Sequence, residues 1–210
     1  VRGADLQVRF IEESFPVGEH LIIADDNIIS FVGAHAPTSR EGGNRVLRAD
    51  PGGGGELARL IAKAGRALGD ENAKAWGVNP SSNPWIVYRC HDEFQKKPPG
   101  TPEYSRRLGL LYGAFFGLRV LQEPRRYTRY GQVKDDVERS LRYWHLDGVL
   151  LRFRRYAVRK THTPGKFNLA KGGISAGSSA AKHRAEASRA LAQMFGEFAA
   201  QHARLPAPGE

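Results

Sequence analysis

Residues 44–68 read NRVLRADPGGGGELARLIAKAGRAL. Residues 44–49 alternate polar and apolar side chains, the period of a strand. Pro51 and the glycines at 52–55 stop that strand. Beyond them Leu57, Leu60, Ile61, Ala64 and Leu68 fall at helical spacing and predict an amphipathic helix over 56–68. A strand, a sharp turn and a helix in immediate succession is the repeating unit of an α/β domain.

The pattern continues outward. Residues 19–24 (EHLIIA) read as a short strand and 27–32 as a second apolar element, and Asp25-Asp26, a candidate acid pair, is explained more simply as a hairpin turn. PWIVYR (84–89) reads as a compact strand after the loop NPSSNP. Pro102, following Thr101, is placed to open a helix running to Phe116. Residues 118–122 read as a strand, 130–143 as a helix on Val133, Val137 and Leu141, and 149–154 as a further strand. Residues 161–177 read as a loop. Ser178 or Ser179 caps a last helix with Ala187, Leu191, Phe195 and Phe198 on one stripe. The expectation is an α/β fold with a mixed sheet flanked by helices. Residues 1–43 form a connector or edge segment, 44–203 the main domain and 204–210 a flexible tail.

Composition sets further bounds. The 210 residues are 40% hydrophobic and 26% charged, which excludes a disordered tail. No apolar run approaches the roughly 18 to 20 residues needed to cross a bilayer, so no membrane partner is expected. Cys90 is the single cysteine, which leaves no internal disulfide and no cysteine-based zinc cluster. The opening VRGADLQVRF has neither an initiator Met nor a signal-peptide layout and reads as a processed or excised fragment. The net charge is +10, divided as −1 over residues 1–100 and +11 over the remainder. Positive charge held in one half points to a polyanion. Within 119–171, Arg125, Arg126, Arg129, Arg152, Arg154, Arg155, Lys160 and Lys171 are the expected phosphate contacts, interleaved with Tyr127, Tyr130, Phe153 and Tyr156.

Three acids are candidates for chemistry. Asp50 ends a predicted strand and precedes Pro and four glycines, where backbone can approach a phosphate or metal; a Gly-rich surface turn is the plainer alternative. No Lys-Ser/Thr follows, so this is not a P-loop. Glu123 ends another strand beside Arg125 and Arg126, which suits metal-dependent phosphodiester chemistry or an ordinary ion pair. If those strands are adjacent, the two carboxylates can hold Mg²⁺ or Mn²⁺. Glu186, with His183 one turn before it, is the third ligand on offer, although helical geometry sets it opposite the Leu191/Phe195 stripe. Gly173-Ile174-Ser175-Ala176-Gly177 matches G-x-S-x-G in form, but KFNLAKG before it is a poor strand, and a capping loop explains it better. His35, His91, His145 and His162 show no metal-ligand spacing.

The order of these segments resembles the C-terminal nuclease domain of phage terminase large subunits, the DNA-packaging motors of tailed phages. FPVGEHLIIADDNIISFVGA resembles the connector into that domain, and RVLRADPGGGGE its first strand with the acidic motif. PWIVYR resembles a middle strand, PEYSRRLGLLYGAFFG the helix behind it, and LRVLQE the strand with the second ligand. The segments 129–155 and 171–195 resemble the helix and strand that follow and the final loop and helix. The resemblance implies an RNase H-like fold. It makes Asp50 and Glu123 metal ligands, Glu56 an accessory acid, and Glu186 or His183 the completion of the site.

It also implies a two-metal endonuclease acting on double-stranded DNA in viral genome packaging, beside other motor subunits and in the host cytoplasm. The sequence departs from the family after Glu123, where EPRRYTRYG replaces an asparagine-rich stretch, and no Walker motif is present. The rival expectation is a non-catalytic basic nucleic-acid-binding protein, such as a ribosomal or phage structural component, which needs the basic surface but no converging acids.

Overall fold

The computed structural model describes residues 4–34, 48–49, 55–131, 133–160 and 180–202. Helix α1 (Ala4–Ser14) leads into strands β1 (His20–Ala24), β2 (Ile28–Gly33) and β3 (Arg48–Ala49). Then follow α2 (Glu56–Asp70), β4 (Ala75–Asn79), α3 (Pro84–Gln95), β5 (Phe115–Arg119), α4 (Asp135–Asp147), β6 (Leu151–Lys160) and α5 (Ala180–His202). The strands form one mixed sheet in the order β1-β5-β4-β6-β2-β3. β4 and β6 run parallel, and every other pair is antiparallel. The α/β class expected from the sequence is therefore present.

The sheet is rolled. Only residues 25–27 join β1 to β2, although β5, β4 and β6 lie between them in the sheet. Four interstrand steps in a flat sheet would span about 19 Å, whereas this connection reaches about 14 Å at most. Asp25–Asn27 is thus a turn but not the expected hairpin, because β1 pairs with β5 and β2 with β6 and β3. Rolling brings Phe31 of β2 to 6.3 Å from Phe115 of β5, and Lys160 to 2.5 Å from Asp25.

The concave face holds the main core. Leu60, Ala64 and Leu68 of α2 pack there on Phe31, Trp76, Val78, Phe115, Phe153, Tyr156 and Val158. Trp76 is fully buried and donates its Nε1–H to His20 Nε2 at 2.8 Å. Gly117 lies opposite Trp76 in the ladder, and a Cβ there would meet the indole at 2.1 Å, so only glycine lets this ring cross β5. On the other face Tyr143 packs with Leu111, Phe116, Leu118 and Leu150, while Val87 and Tyr88 of α3 pack on Val32, Ala34 and Ala157.

Two expected elements are corrected. PWIVYR is the first half of α3, not a strand. Asn83 Oδ1 accepts from Trp85 N–H at 2.9 Å and Pro84 follows the cap, a start signal that outweighs the short apolar run. Residues 102–114 are not a helix. Ser105 exchanges backbone hydrogen bonds with Arg152, and the Arg152 side chain occupies the space that a Cβ on Gly109 would need. α1 and β4 (AWGVN) went unforeseen, and β5 begins three residues earlier than expected. The leading segment, expected as a connector or edge, supplies edge strand β1 and interior strand β2. The tail from 204 lies outside the described residues.

α1 carries a costly group into the interior. Glu12 is 3% exposed, and its Oε2 has no hydrogen-bond partner among the described residues. Burial pushes its pKa from 4.5 up to about 7, against the opposing pull of Arg139 and Arg126. The folded value exceeds the unfolded one, so protonation favours folding. That contribution is complete below about pH 4.5 and is lost as pH rises through about 7. Glu12→Gln is expected to raise stability at pH 8 by up to roughly 3 kcal/mol and to change it little at pH 4.5. Urea denaturation across that range checks this, and parallel pH profiles for the two proteins would contradict it.

Candidate nucleic-acid interface

Of the three acids proposed from sequence, the described residues include Glu123 and Glu186. Asp50 lies outside the described residues, but Ala49 before it is the last residue of β3 and pairs with Val32, which in turn pairs with Ala157 of β6. β3 runs in the direction of β6, so its end points toward the C-terminal end of β6. β5 runs the opposite way, and Leu118 pairs with Ala75 near the start of β6. Glu123 lies beyond that start. Measured along β4, from Ala75 opposite Leu118 to Asn79 opposite Ala157, the offset is four steps, on the order of 13 Å, and β3 and β5 are not neighbours in the sheet, so the adjacency that the expected convergence assumed is not present.

Glu123 is instead held by arginines. It caps the turn Pro124–Arg126, pairs with Arg125, and accepts from Arg126 Nε at 3.0 Å. Burial acts to raise its pKa, but Arg125 and Arg126 together bring it below the usual carboxylate value. Glu186 is half-buried on α5, in a hollow with Tyr130, Val133 and Arg189. His183 belongs to the same helix, and its side chain is outside the described set, as are His35, His162, Lys171 and the G-x-S-x-G segment. His91 is buried against Tyr88 and His145 lies against Phe198. Among the described residues no group of three His, Cys, Asp or Glu could hold a metal. No helix there is long and apolar enough to cross a membrane.

The expected arginines divide into two sets. Arg126 is 6% exposed and makes a two-pronged pair with Asp147 at 2.7 and 2.8 Å. Its guanidinium also lies 4.9 Å from the Tyr143 ring centre. These contacts tie the turn after β5 to the end of α4. Arg142 acts alike, bonding Glu138 and, through its two terminal nitrogens, Glu197 of α5. Arg126 is therefore a fold-holding residue and not a phosphate contact, because its donors are spent inside. Arg125 is exposed but paired with Glu123, and Arg129 is exposed. Lys160 is engaged by Asp25.

The second set arises from a bulge in β6. Val78 pairs with Phe153, yet the next residue, Asn79, pairs with Ala157. The additional β6 residues break strict alternation, so Phe153 and Tyr156 both face the core while Arg154 turns toward Glu93 of α3 and Arg155 toward Glu56 and Glu103 on the α2 side. Buried Asn79 stabilises the bulge by donating to the Arg154 carbonyl at 3.1 Å. Arg152 and Arg154 line a small cleft of about 50 Å³ with Glu93 of α3 and with Lys97 and Glu103 of the loop that follows it. Arg154 lies 3.5 Å from Glu93, and Arg152 has no acidic partner among the described residues.

Arg155 reaches the concave side, where it pairs with Glu103 and lies 3.9 Å from Glu56. Glu103 also pairs with Lys63. This joins β6 to a basic stripe that the sequence reading missed. Arg59, Lys63 and Arg66 lie on one face of α2 at i, i+4 and i+7, bordering the same groove as Arg155. Arg59 and Arg66 are exposed and have no acidic partner among the described residues. Counting charge by halves concealed them because acids elsewhere in residues 1–100 cancel them. Helical spacing was the available signal.

Arg152 and Arg154 in the cleft, Arg155 at the junction, and the α2 stripe form a chain of cations interspersed with Glu93, Glu103 and Glu56, in which Arg59, Arg66 and Arg152 have no acidic partner among the described residues. Its chemistry suits phosphate oxygens, which accept from guanidinium in paired geometry. No family model matches the chain, and no curated protein or solved structure is significantly similar to it.

Removing one side of the inner pairs should cost the fold and spare the surface. Arg126→Leu is expected to lower stability by about 3 to 5 kcal/mol, as for other buried pairs broken on one side. Denaturant titration at neutral pH measures this, and a loss under 1 kcal/mol would show that Arg126 does not hold the turn.

Proposed function

We propose that this chain is a non-catalytic nucleic-acid-binding protein that grips phosphates through α2 and the bulged part of β6. The observation that carries this reading is Arg59 and Arg66, exposed and without acid partners among the described residues, on one helix face beside Arg155. Unpaired cations in a row are the electrostatic footprint of a polyanion site. The metal-dependent endonuclease reading would need carboxylates from β3 and β5 at a common point. The strand directions give that arrangement no support, and the ion pairs of Glu123 occupy the oxygens a metal would use. Binding alone requires no converging acids.

The salt dependence of binding to a short DNA duplex tests the reading. Each phosphate contact contributes roughly 0.9 to the slope of log K against log salt. Arg59→Ala with Arg66→Ala should flatten that slope by roughly 1.8, with circular dichroism unchanged. An unaltered slope would remove α2 from the interface. Plasmid incubated with the protein in Mn²⁺ is expected to remain uncut. Cutting by the wild type that Asp50→Ala abolishes would restore the nuclease reading.

A further inference from the structure

α3 carries one large side chain that neither the core nor the cationic surface uses. Trp85 is 63% exposed, and Ile86 beside it is 37% exposed. One turn on, the Arg89 guanidinium lies 5.8 Å from the centre of the Trp85 ring. Arg89 Nε is 3.2 Å from Glu93 Oε1, and Glu93 Oε2 is 3.5 Å from Arg154. Trp85, Arg89, Glu93 and Arg154 thus form a continuous line along the outer side of α3. It starts at the helix N-terminus and ends in the cleft where Lys97 and Arg152 meet Arg154. From Trp85 to Glu93 the helix rises about 12 Å, room for a few nucleotides of an extended strand.

We propose that α3 is a track for single-stranded nucleic acid, with an unpaired base stacked on Trp85 and flanking phosphates on Arg89 and in the Arg152–Arg154–Lys97 cleft. This rests on the phosphate-binding reading above and adds to it the strandedness of the ligand. A duplex keeps its base faces stacked on one another and cannot offer one to the indole, whereas an unpaired base can. Arg89 beside the ring enriches the site, since a guanidinium both attracts phosphate and accompanies aromatic stacking. Arg152 supplies independent support. It is half-buried, and burial followed by the charge of Arg154 hold its pKa below the usual guanidinium value. A phosphate oxygen in the cleft would relieve that uncompensated charge.

The test uses the whole chain with a fluorescently labelled oligothymidylate and a labelled duplex of equal length, read by fluorescence polarisation at one salt concentration. The wild type is expected to bind the single strand more tightly than the duplex. Trp85→Ala should weaken single-strand binding about tenfold and leave duplex binding unchanged, while Trp85→Phe should keep most of the single-strand affinity. Trp85 is exposed, so neither change touches the core. Equal single-strand affinity for wild type and Trp85→Ala would overturn the track. So would an equal loss for both ligands, or a Trp85 that serves only self-association in sedimentation. If the track fails while Arg59→Ala with Arg66→Ala still abolishes binding, the phosphate-binding reading stands alone. If the wild type binds neither ligand, both fall.

Discussion

The pairing of β6 constrains the rest of the molecule. This strand lies parallel to β4 on one side and antiparallel to β2 on the other. With the antiparallel pairings of β5 on β4 and β3 on β2, those two pairings determine which strand ends share an edge. They put the end of β3 and the end of β5 at opposite limits of the sheet. A bulge within the same strand then turns two consecutive arginines, Arg154 and Arg155, out to opposite sides. One strand therefore both sets the ends of β3 and β5 apart and provides the cations between the cleft and α2. Asn79 is the small polar group that makes this possible, because its side chain satisfies a carbonyl that the interrupted ladder leaves open.

Positive charge in this protein does two different jobs. Around α4 it is internal: Arg126 with Asp147, Arg139 with Asp135, and Arg142 with Glu138 and Glu197 are closely matched pairs at low exposure. Such pairs tie their elements together and keep their guanidiniums buried. Around α2, α3 and the β6 bulge, the cations are more exposed, and several lack acidic partners among the described residues. A net charge of +10 does not distinguish these jobs. Only the location of each acid does.

Much of the fold was legible. The α2 helix was read from Leu57, Leu60, Ile61, Ala64 and Leu68, and its buried side is Leu60, Ala64, Ala67 and Leu68. β1, β2, β6 and α5 also follow from local apolar pattern. PWIVYR misled because a short apolar run has no period of its own, and the Asn83-Pro84 cap carried the decisive information. β4 was hidden by AWGVN, whose five residues are all buried and so do not alternate. The candidate site was less legible. Arg152, Arg154 and Arg155 were named, but Arg126 in the same list proved internal, because its partner Asp147 is 21 residues away in sequence. Arg59 and Arg66 were missed, since a charge count over a hundred residues cannot see one helix face. The relation of Glu123 to β3 depends on strand direction, which no local pattern encodes.

On the proposed reading the working cations are those of α2 and the β6 bulge, not those beside Glu123. Arginine-modification footprinting by mass spectrometry, with and without a bound oligonucleotide, reads this directly. Arg59, Arg66 and Arg154 should become protected while Arg125 and Arg129 stay reactive. Protection confined to Arg125 and Arg129, with Arg59 and Arg66 unchanged, would contradict it.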